Sequence, residues 1–411
     1  MKKLSLTLLF LFTINSFSQT DSGNLENYLH AKIAAMPGET GNNFSIPTDN
    51  EVTSWTAMIN SILSNDIATA RTNATSVNYQ IVEYTDTDIG NNDVFYVVEE
   101  KSPQSKYWGT FAFAKNAARP NLILQAPHSD FDFNTGKQAI YCFVRLNNKA
   151  LFLNGTHRCN HSTLSTCAGT TTVCTGGSSE AFKISDMAHN AETMWQKTTE
   201  IIYNTITESV FFQLHGFAKK DDDPYVILSN GTDQTPTTDY AAQLKTALFA
   251  QDNTLTFKTA HLDNWDRLVG FTNTQGRLIN QSNNPCNQSA QSTTGRFIHV
   301  EQEKTKLRAD STGWEKMYQA LVGVFGVLMK VEDFVQIKMK SENPFKNSLT
   351  FSAENMQNIL IYDILGKTIY QNKNTKELNR FTIDTKSFSN GIYFLKVTTN
   401  KGTDIKKLLR E

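Results

Sequence analysis

The sequence predicts an α/β fold, with a mixed, largely parallel sheet flanked by helices, followed by a small C-terminal β-sandwich. Two observations point there. Up to about Lys340, strand-like runs and helix-like stretches alternate; beyond it come only short strands of alternating polarity separated by turns. In addition, 411 residues, 39% of them hydrophobic, are more than one domain of roughly 100–200 residues needs.

In chain order, a helix is expected over Glu51–Ala70, then strands at Tyr79–Tyr84, Val94–Glu99, Trp108–Phe113 and Leu122–Gln125. Ala139 to Val144 reads as a buried strand and Leu151–Asn154 as another. Helices are expected over Asp186–Thr207, Asp239–Ala250 and Gly313–Leu328, and strands at Val210–Leu214 and Phe297–Val300. Thr166–Ser179 and Ser289–Thr294 are polar and read as loops.

At the start, Lys2 and Lys3 precede an apolar run from Leu4 to Ile14, with Ser16 and Ser18 before Gln19. This is the pattern of a cleaved secretory signal over residues 1–18. The run is shorter than the roughly 20 residues a spanning helix needs. The apolar stretch Ala320–Met329 is also too short and reads as a buried helix, so no membrane span is expected in the mature protein. A net charge of −1 offers no basic surface for nucleic acid. In an oxidising compartment, five cysteines leave one unpaired. Cys142, in its apolar run, is the candidate for a free thiol. Cys167 with Cys174 and Cys159 with Cys286 are the expected bridges.

All of the eight histidines except His30 fall between His128 and His299. Three polar clusters follow apolar strands: Ala126-Pro127-His128, Gly155-Thr156-His157-Arg158 and His215-Gly216. Loops at the carboxyl ends of parallel strands converge on one crevice, so His128, His157, Arg158 and His215 can meet. Imidazoles and a carboxylate suit zinc, with Asp132, or its rival Asp130, as the carboxylate. In Phe297 to Glu303, alternation puts His299, Glu301 and Glu303 on one face, and Glu301 is the candidate general base. Arg158 offers a guanidinium for a substrate carboxylate. Lys219 to Pro224 is a charged turn, and Gly270 to Arg277 is a polar loop that could line a pocket. No phosphate-binding loop, dinucleotide fingerprint or Gly-x-Ser-x-Gly elbow stands in a suitable setting.

Two resemblances follow from these residues. Asn343-Pro344-Phe345, Ile361-Tyr362-Asp363 with Gly366-Lys367, and Gly391 to Val397 closely resemble the type A C-terminal sorting domain of type IX secretion. That implies recognition by the type IX machinery, passage through the periplasm, and delivery to the cell surface or medium. Ala126-Pro127-His128 with Asp132, Gly155-Thr156-His157-Arg158, Leu214-His215-Gly216 and His299-Val300-Glu301 resemble the zinc-carboxypeptidase-like fold of N-formylglutamate amidohydrolases and poly-γ-glutamate hydrolases. The resemblance implies one zinc on His128, Asp132 and His215, Glu301 as base or acid, and Arg158 facing a substrate carboxylate or the oxyanion. It departs from carboxypeptidases, whose first ligands are a histidine and a glutamate three positions apart; here position 131 is Phe.

The expected organisation is therefore a signal peptide at 1–18, a metallohydrolase domain at 19–338 and a sorting domain at 339–411. The expected activity is hydrolysis of an amide or peptide-like bond in a small substrate near a carboxylate. The alternative is a surface-displayed binding protein on a non-catalytic scaffold of the same kind.

Overall fold

The computed structural model describes residues 19–89, 92–326, 338–339, 341–373, 378–399 and 402–411. The signal peptide expected at 1–18 and the end of the Ala320–Met329 stretch lie outside the described residues. The chain divides into two compact units, Met1–Leu328 and Met329–Glu411.

The first unit opens with β1 (Thr20–Gly23), α1 (Leu25–Ala34), α2 (Asp49–Leu63) and α3 (Ile67–Ser76). Next come β2 (Tyr79–Asp86), β3 (Val94–Glu100), β4 (Thr110–Ala114), β5 (Arg119–Ala126), α4 (Thr135–Leu146) and β6 (Asn148–Leu153). A long excursion holds β7 (Thr170–Thr171) and β8 (Glu180–Ala181) and leads to α5 (Met194–Thr205). β9 (Val210–Phe217), β10 (Val226–Ser229), α6 (Tyr240–Gln251), β11 (Phe257–Thr259), α7 (Ala260–Asp263), α8 (Thr274–Ile279), β12 (Phe297–Glu303) and α9 (Ser311–Val324) complete it.

Ten strands form one sheet in the order β1-β2-β3-β4-β6-β5-β9-β12-β10-β11. The middle four, β6-β5-β9-β12, are parallel. Antiparallel pairings appear on both flanks, β2-β3-β4-β6 on one and β12-β10 on the other. Alternation along the middle strands divides the core. Leu124, Phe212 and Val300 join one apolar cluster with α1, α4, α6 and α9, whereas Ile123, Phe211 and Phe297 join another with α2, α3 and α5.

Three expectations about elements change. Ala139 to Val144 lies in α4, not in a strand, because α4 is the crossover between parallel β5 and β6 and buries most of its surface. An apolar run does not by itself separate a buried helix from a strand. The Glu51–Ala70 helix is two, divided where Asn65 takes φ 62° and Asp66 caps α3 by accepting from Thr69 N–H. The helix expected from Asp186 begins only at Met194, where Thr193 accepts from Gln196 N–H at 3.0 Å; Asp186 stands in the loop before it.

The second unit comprises β13 (Lys338–Met339), β14 (Ser348–Asp363), β15 (Thr368–Asn372), β16 (Leu378–Asp384), β17 (Gly391–Thr399) and β18 (Gly402–Arg410). Hydrogen bonds join all six strands into one antiparallel sheet. The first half of β14 pairs chiefly with β13 and β16, the second with β15 and β17. Both halves feed one apolar cluster that includes Phe351, Ile361, Leu395 and Leu408.

Candidate metal centre

The register of the parallel strands stacks side chains in rows on the face covered by α2, α3 and α5. Ile123, Phe211 and Phe297 form an apolar row. One step toward the carboxyl ends, Gln125, Gln213 and His299 form a polar row. A further step pairs His215 with Glu301. Apolar burial therefore gives way to ionisable chemistry where the sheet opens. The strand β9 runs on through His215 and Gly216 to Phe217, so His215 sits within the strand and not at a turn. A Cβ at Gly216 would meet the guanidinium of Arg308, which would have to give way.

The second contribution comes from the segment between β5 and α4. Asp132 N–H donates to His128 C=O at 3.0 Å, closing a turn that brings the two side chains together. Asp132 Oδ2 lies 3.2 Å from His128 Nδ1 and 3.5 Å from His215 Nδ1, and accepts from Gly216 N–H at 3.1 Å. The other nitrogen of each ring is already engaged. His128 Nε2 meets Asp186 Oδ1 at 3.0 Å, and His215 Nε2 meets Gln213 Oε1 at 2.8 Å. Asp130, by contrast, is exposed.

Arg158 is buried and gives Nε and Nη2 to Asp186 Oδ2 at 3.1 and 2.7 Å, while its Nη1 lies 3.3 Å from His128 Nδ1. Asp186 carries no site signal in the sequence: it opens the segment read as a helix from Asp186 to Thr207, and its distance of 58 positions from His128 hides their contact. His157 turns the other way. Its Nδ1 accepts from Cys159 N–H, its ring meets the ring of exposed Phe131 edge to face at 4.7 Å, and among the described residues it enters no ligand group. His189 stacks on Phe182 and reaches Asp186 Oδ1 at 3.1 Å.

Among the described residues, three groups hold ligand-capable atoms within 4.8 Å of one another: His128, Asp132 and His215; His128, Asp186 and His189; and His215, His299 and Glu301. Two separations in the first are close to those of a tetrahedral ion's ligands. Ligands at 2.0–2.1 Å on such a centre stand roughly 3.3–3.4 Å apart, and Asp132 Oδ2 lies 3.2 and 3.5 Å from the two Nδ1 atoms. The second already has the Arg158 cation on its central carboxylate.

Electrostatics separates the groups. Burial alone would raise the Asp132 carboxyl, but His128 and His215 outweigh it and hold it well below the usual range. Burial opposes charge on His128, yet Asp186 and Asp132 raise it above an ordinary histidine. Burial brings His215 down to about 4 against the pull of Asp132. Burial, reinforced by Asp132, lifts Glu301 to about 8, and its buried Oε2 has no hydrogen-bond partner among the described residues. Glu303, the third residue of that face, instead caps Thr305.

The excursion that carries Arg158 and Asp186 is fixed by two disulfides, Cys159–Cys174 and Cys167–Cys286, in place of the expected pairing. Proximity in sequence misled. The 3-10 turn at Val173–Thr175 brings Cys174 to Cys159, while Arg277 holds the Cys286 carbonyl at 2.9 Å and Ala168 N–H donates to that same carbonyl beside Cys167. Cys142 is free and buried. The polar segment at Gly270–Arg277 is absorbed structurally: Asn273 caps α8, and Gln275 is buried. In the charged turn, Asp223 accepts from Lys220 N–H and pairs with Arg267.

Residues 343–411 match the family described as the secretion system C-terminal sorting domain. The chain is a secreted or cell-surface protein. Its sorting domain implies interaction with the type IX secretion machinery. Among the described residues, no helix is long and apolar enough to cross a membrane. No curated protein matches the sequence. Solved structures similar to the chain include an aspartoacylase family protein from Mesorhizobium loti, 9% identical, covering 77% of this chain and 93% of that one at a TM-score of 0.27. Another is the endo-β-1,4-mannanase of Thermotoga petrophila, 12% identical, covering 63% of this chain and 57% of that one at a TM-score of 0.14.

Proposed function

We propose that residues 19–338 form a zinc-dependent hydrolase of an amide or peptide-like bond near a carboxylate, exported through the sorting domain. The observation that supports this most is the convergence of two imidazole Nδ1 atoms on one ionised carboxylate oxygen, at separations of 3.2 and 3.5 Å. Both Nε2 atoms face acceptors, and His128, raised above an ordinary histidine beside Asp132 and Asp186, keeps a positive charge at this point that a bound cation would replace.

His128, Asp132 and His215 would hold the zinc, which when bound supplies Lewis acidity and an acidified water. Glu301 is the register partner of His215; in its ionised form, which a cation bound beside it favours, it takes the proton of the attacking water and then returns it to the leaving nitrogen. Asp186 fixes His128 and spends two of the Arg158 nitrogens, leaving the Nη1 edge beside His128 to meet developing negative charge on the substrate oxygen. Phe131 and Phe133, both exposed on either side of Asp132, present an apolar rim.

The test is hydrolysis of a panel of N-formyl and N-acyl amino acids, γ-glutamyl peptides and α-dipeptides. Turnover of at least one class should be abolished by a chelator and restored by zinc. Saturable binding without turnover across the panel would support the non-catalytic binding protein instead.

A further inference from the structure

Beneath His215 lies a chain of buried side-chain amides whose orientations can be read one from the next. An amide oxygen and nitrogen are distinguished only by their partners, so the reading must begin at backbone carbonyls, which can only accept. Gln275 Nε2 donates to Met187 C=O at 2.9 Å, which leaves Gln275 Oε1 facing Gln213. Gln213 therefore directs its Nε2 at Gln275 Oε1, at 3.0 Å, and turns its own Oε1 to His215 Nε2, at 2.8 Å.

Two further anchors agree. Gln196 Nε2 donates to Thr274 C=O, so Gln196 Oε1 receives Gln275 Nε2 at 2.7 Å. On the other side, Thr199 gives its hydroxyl hydrogen to Trp195 C=O and accepts from Gln125 Nε2, so Gln125 Oε1 receives Gln213 Nε2 at 3.0 Å. Asn273 Nδ2, whose own oxygen is fixed by the Gly276 N–H, donates to Gln213 Oε1 as well. Gln125, Gln213 and Gln275 are each fully buried, so no solvent competes for these bonds.

We infer that Gln213, oriented by Gln275 and Gln125, is a positioning residue that keeps the proton of neutral His215 on Nε2 and leaves the Nδ1 lone pair aimed at Asp132. The distances decide between the tautomers. The Nε2 contact with Gln213 is a hydrogen bond at 2.8 Å, whereas Nδ1 to Asp132 Oδ2 is 3.5 Å, beyond the usual range for a direct bond. A proton on Nδ1 would also leave two acceptors, His215 Nε2 and Gln213 Oε1, facing each other in a dry interior. The amide chain thus does for His215 what the Asp186 carboxylate does for His128, but without adding charge. Its purpose rests on the reading of His215 as a zinc ligand; the tautomer itself belongs to the metal-free protein.

The experiment is a long-range ¹H–¹⁵N correlation spectrum of the imidazoles in full-length, chelator-stripped protein at neutral pH, with His215 assigned by its loss in His215→Gln. The expected result is an Nε2-protonated ring, and an Nδ1-protonated neutral ring would overturn the inference without any variant having to fold. Gln213→Met fills the same space without the amide. It should move the proton to Nδ1, toward Asp132, and lower zinc affinity about 10–100-fold, the usual effect of losing a partner behind a metal-bound histidine. Gln213→Glu retains an acceptor and should keep both the wild-type tautomer and zinc. An unchanged tautomer in folded Gln213→Met would refute the relay. A wild-type Nε2-protonated ring in a protein that takes up no added zinc would leave the relay standing and remove the zinc reading.

Discussion

His215 and Glu301 are register partners on adjacent parallel strands, β9 and β12. That single relation places an imidazole facing Asp132 next to a buried carboxylate with one oxygen unpartnered among the described residues. If Glu301 moves protons without holding metal, Glu301→Gln keeps bound zinc while turnover falls about 10²–10⁴-fold, the usual range for general acid–base catalysis. Zinc content and kcat measured on the same preparation check both halves. Loss of zinc would make Glu301 a ligand.

His128→Ala and His215→Ala each leave two of the three proposed ligands and should lose stoichiometric zinc. Asp130→Ala should not, because that residue is exposed and, among the described residues, belongs to no ligand group. Metal analysis after gel filtration separates the outcomes, and zinc loss in Asp130→Ala would reopen the assignment of the carboxylate.

Asp186 receives two nitrogens of Arg158 and one of His128, all buried. Asp186→Ala strands the Arg158 cation in the interior. The expected cost is about 3–5 kcal/mol of stability, the range for breaking a buried ion pair. Urea unfolding measures it, and a change below about 1 kcal/mol would mean that the Arg158–Asp186 pair is worth no more than an exposed one.

Cys142 is buried, and burial raises its thiol well above the ordinary value, so the reactive thiolate is scarce at pH 8. Folded protein should resist alkylation at that pH and show one reactive thiol only after unfolding. Peptide mapping without reduction should return Cys159 with Cys174 and Cys167 with Cys286.

Much of this was legible in the sequence where a pattern repeats. Apolar strands ending in polar clusters were visible as such, and the structure brings His128, Asp132, His215, Glu301 and Arg158 close together through them. The strand-like run at Ala139 to Val144 was misleading because a crossover helix buried on most sides loses its polar stripe. Asp186 stood at the start of a helix-like stretch, Gln213 within a strand-like run and Gln275 in a polar loop; the contacts that orient them, Asp186 with His128 and Gln213 with Gln275 and Gln125, span 58 to 88 positions and leave no local pattern. The cysteine pairing failed for a related reason, since it depends on a turn at Val173–Thr175 that polar composition does not predict.

Residues 343–411 match a sorting domain. Deleting them should leave the remaining chain in the periplasm, with fractionation and immunoblotting as the readout; normal appearance of the truncated chain in the medium would show that export does not need this domain.

The account as a whole turns on the metal. Elemental analysis of protein purified from its natural host, without added metal or chelator, should find close to one zinc per chain, released together with any hydrolytic activity by a strong chelator and restored with it by zinc. Purified, folded protein that carries no stoichiometric metal and takes none up would contradict the hydrolase reading at its centre.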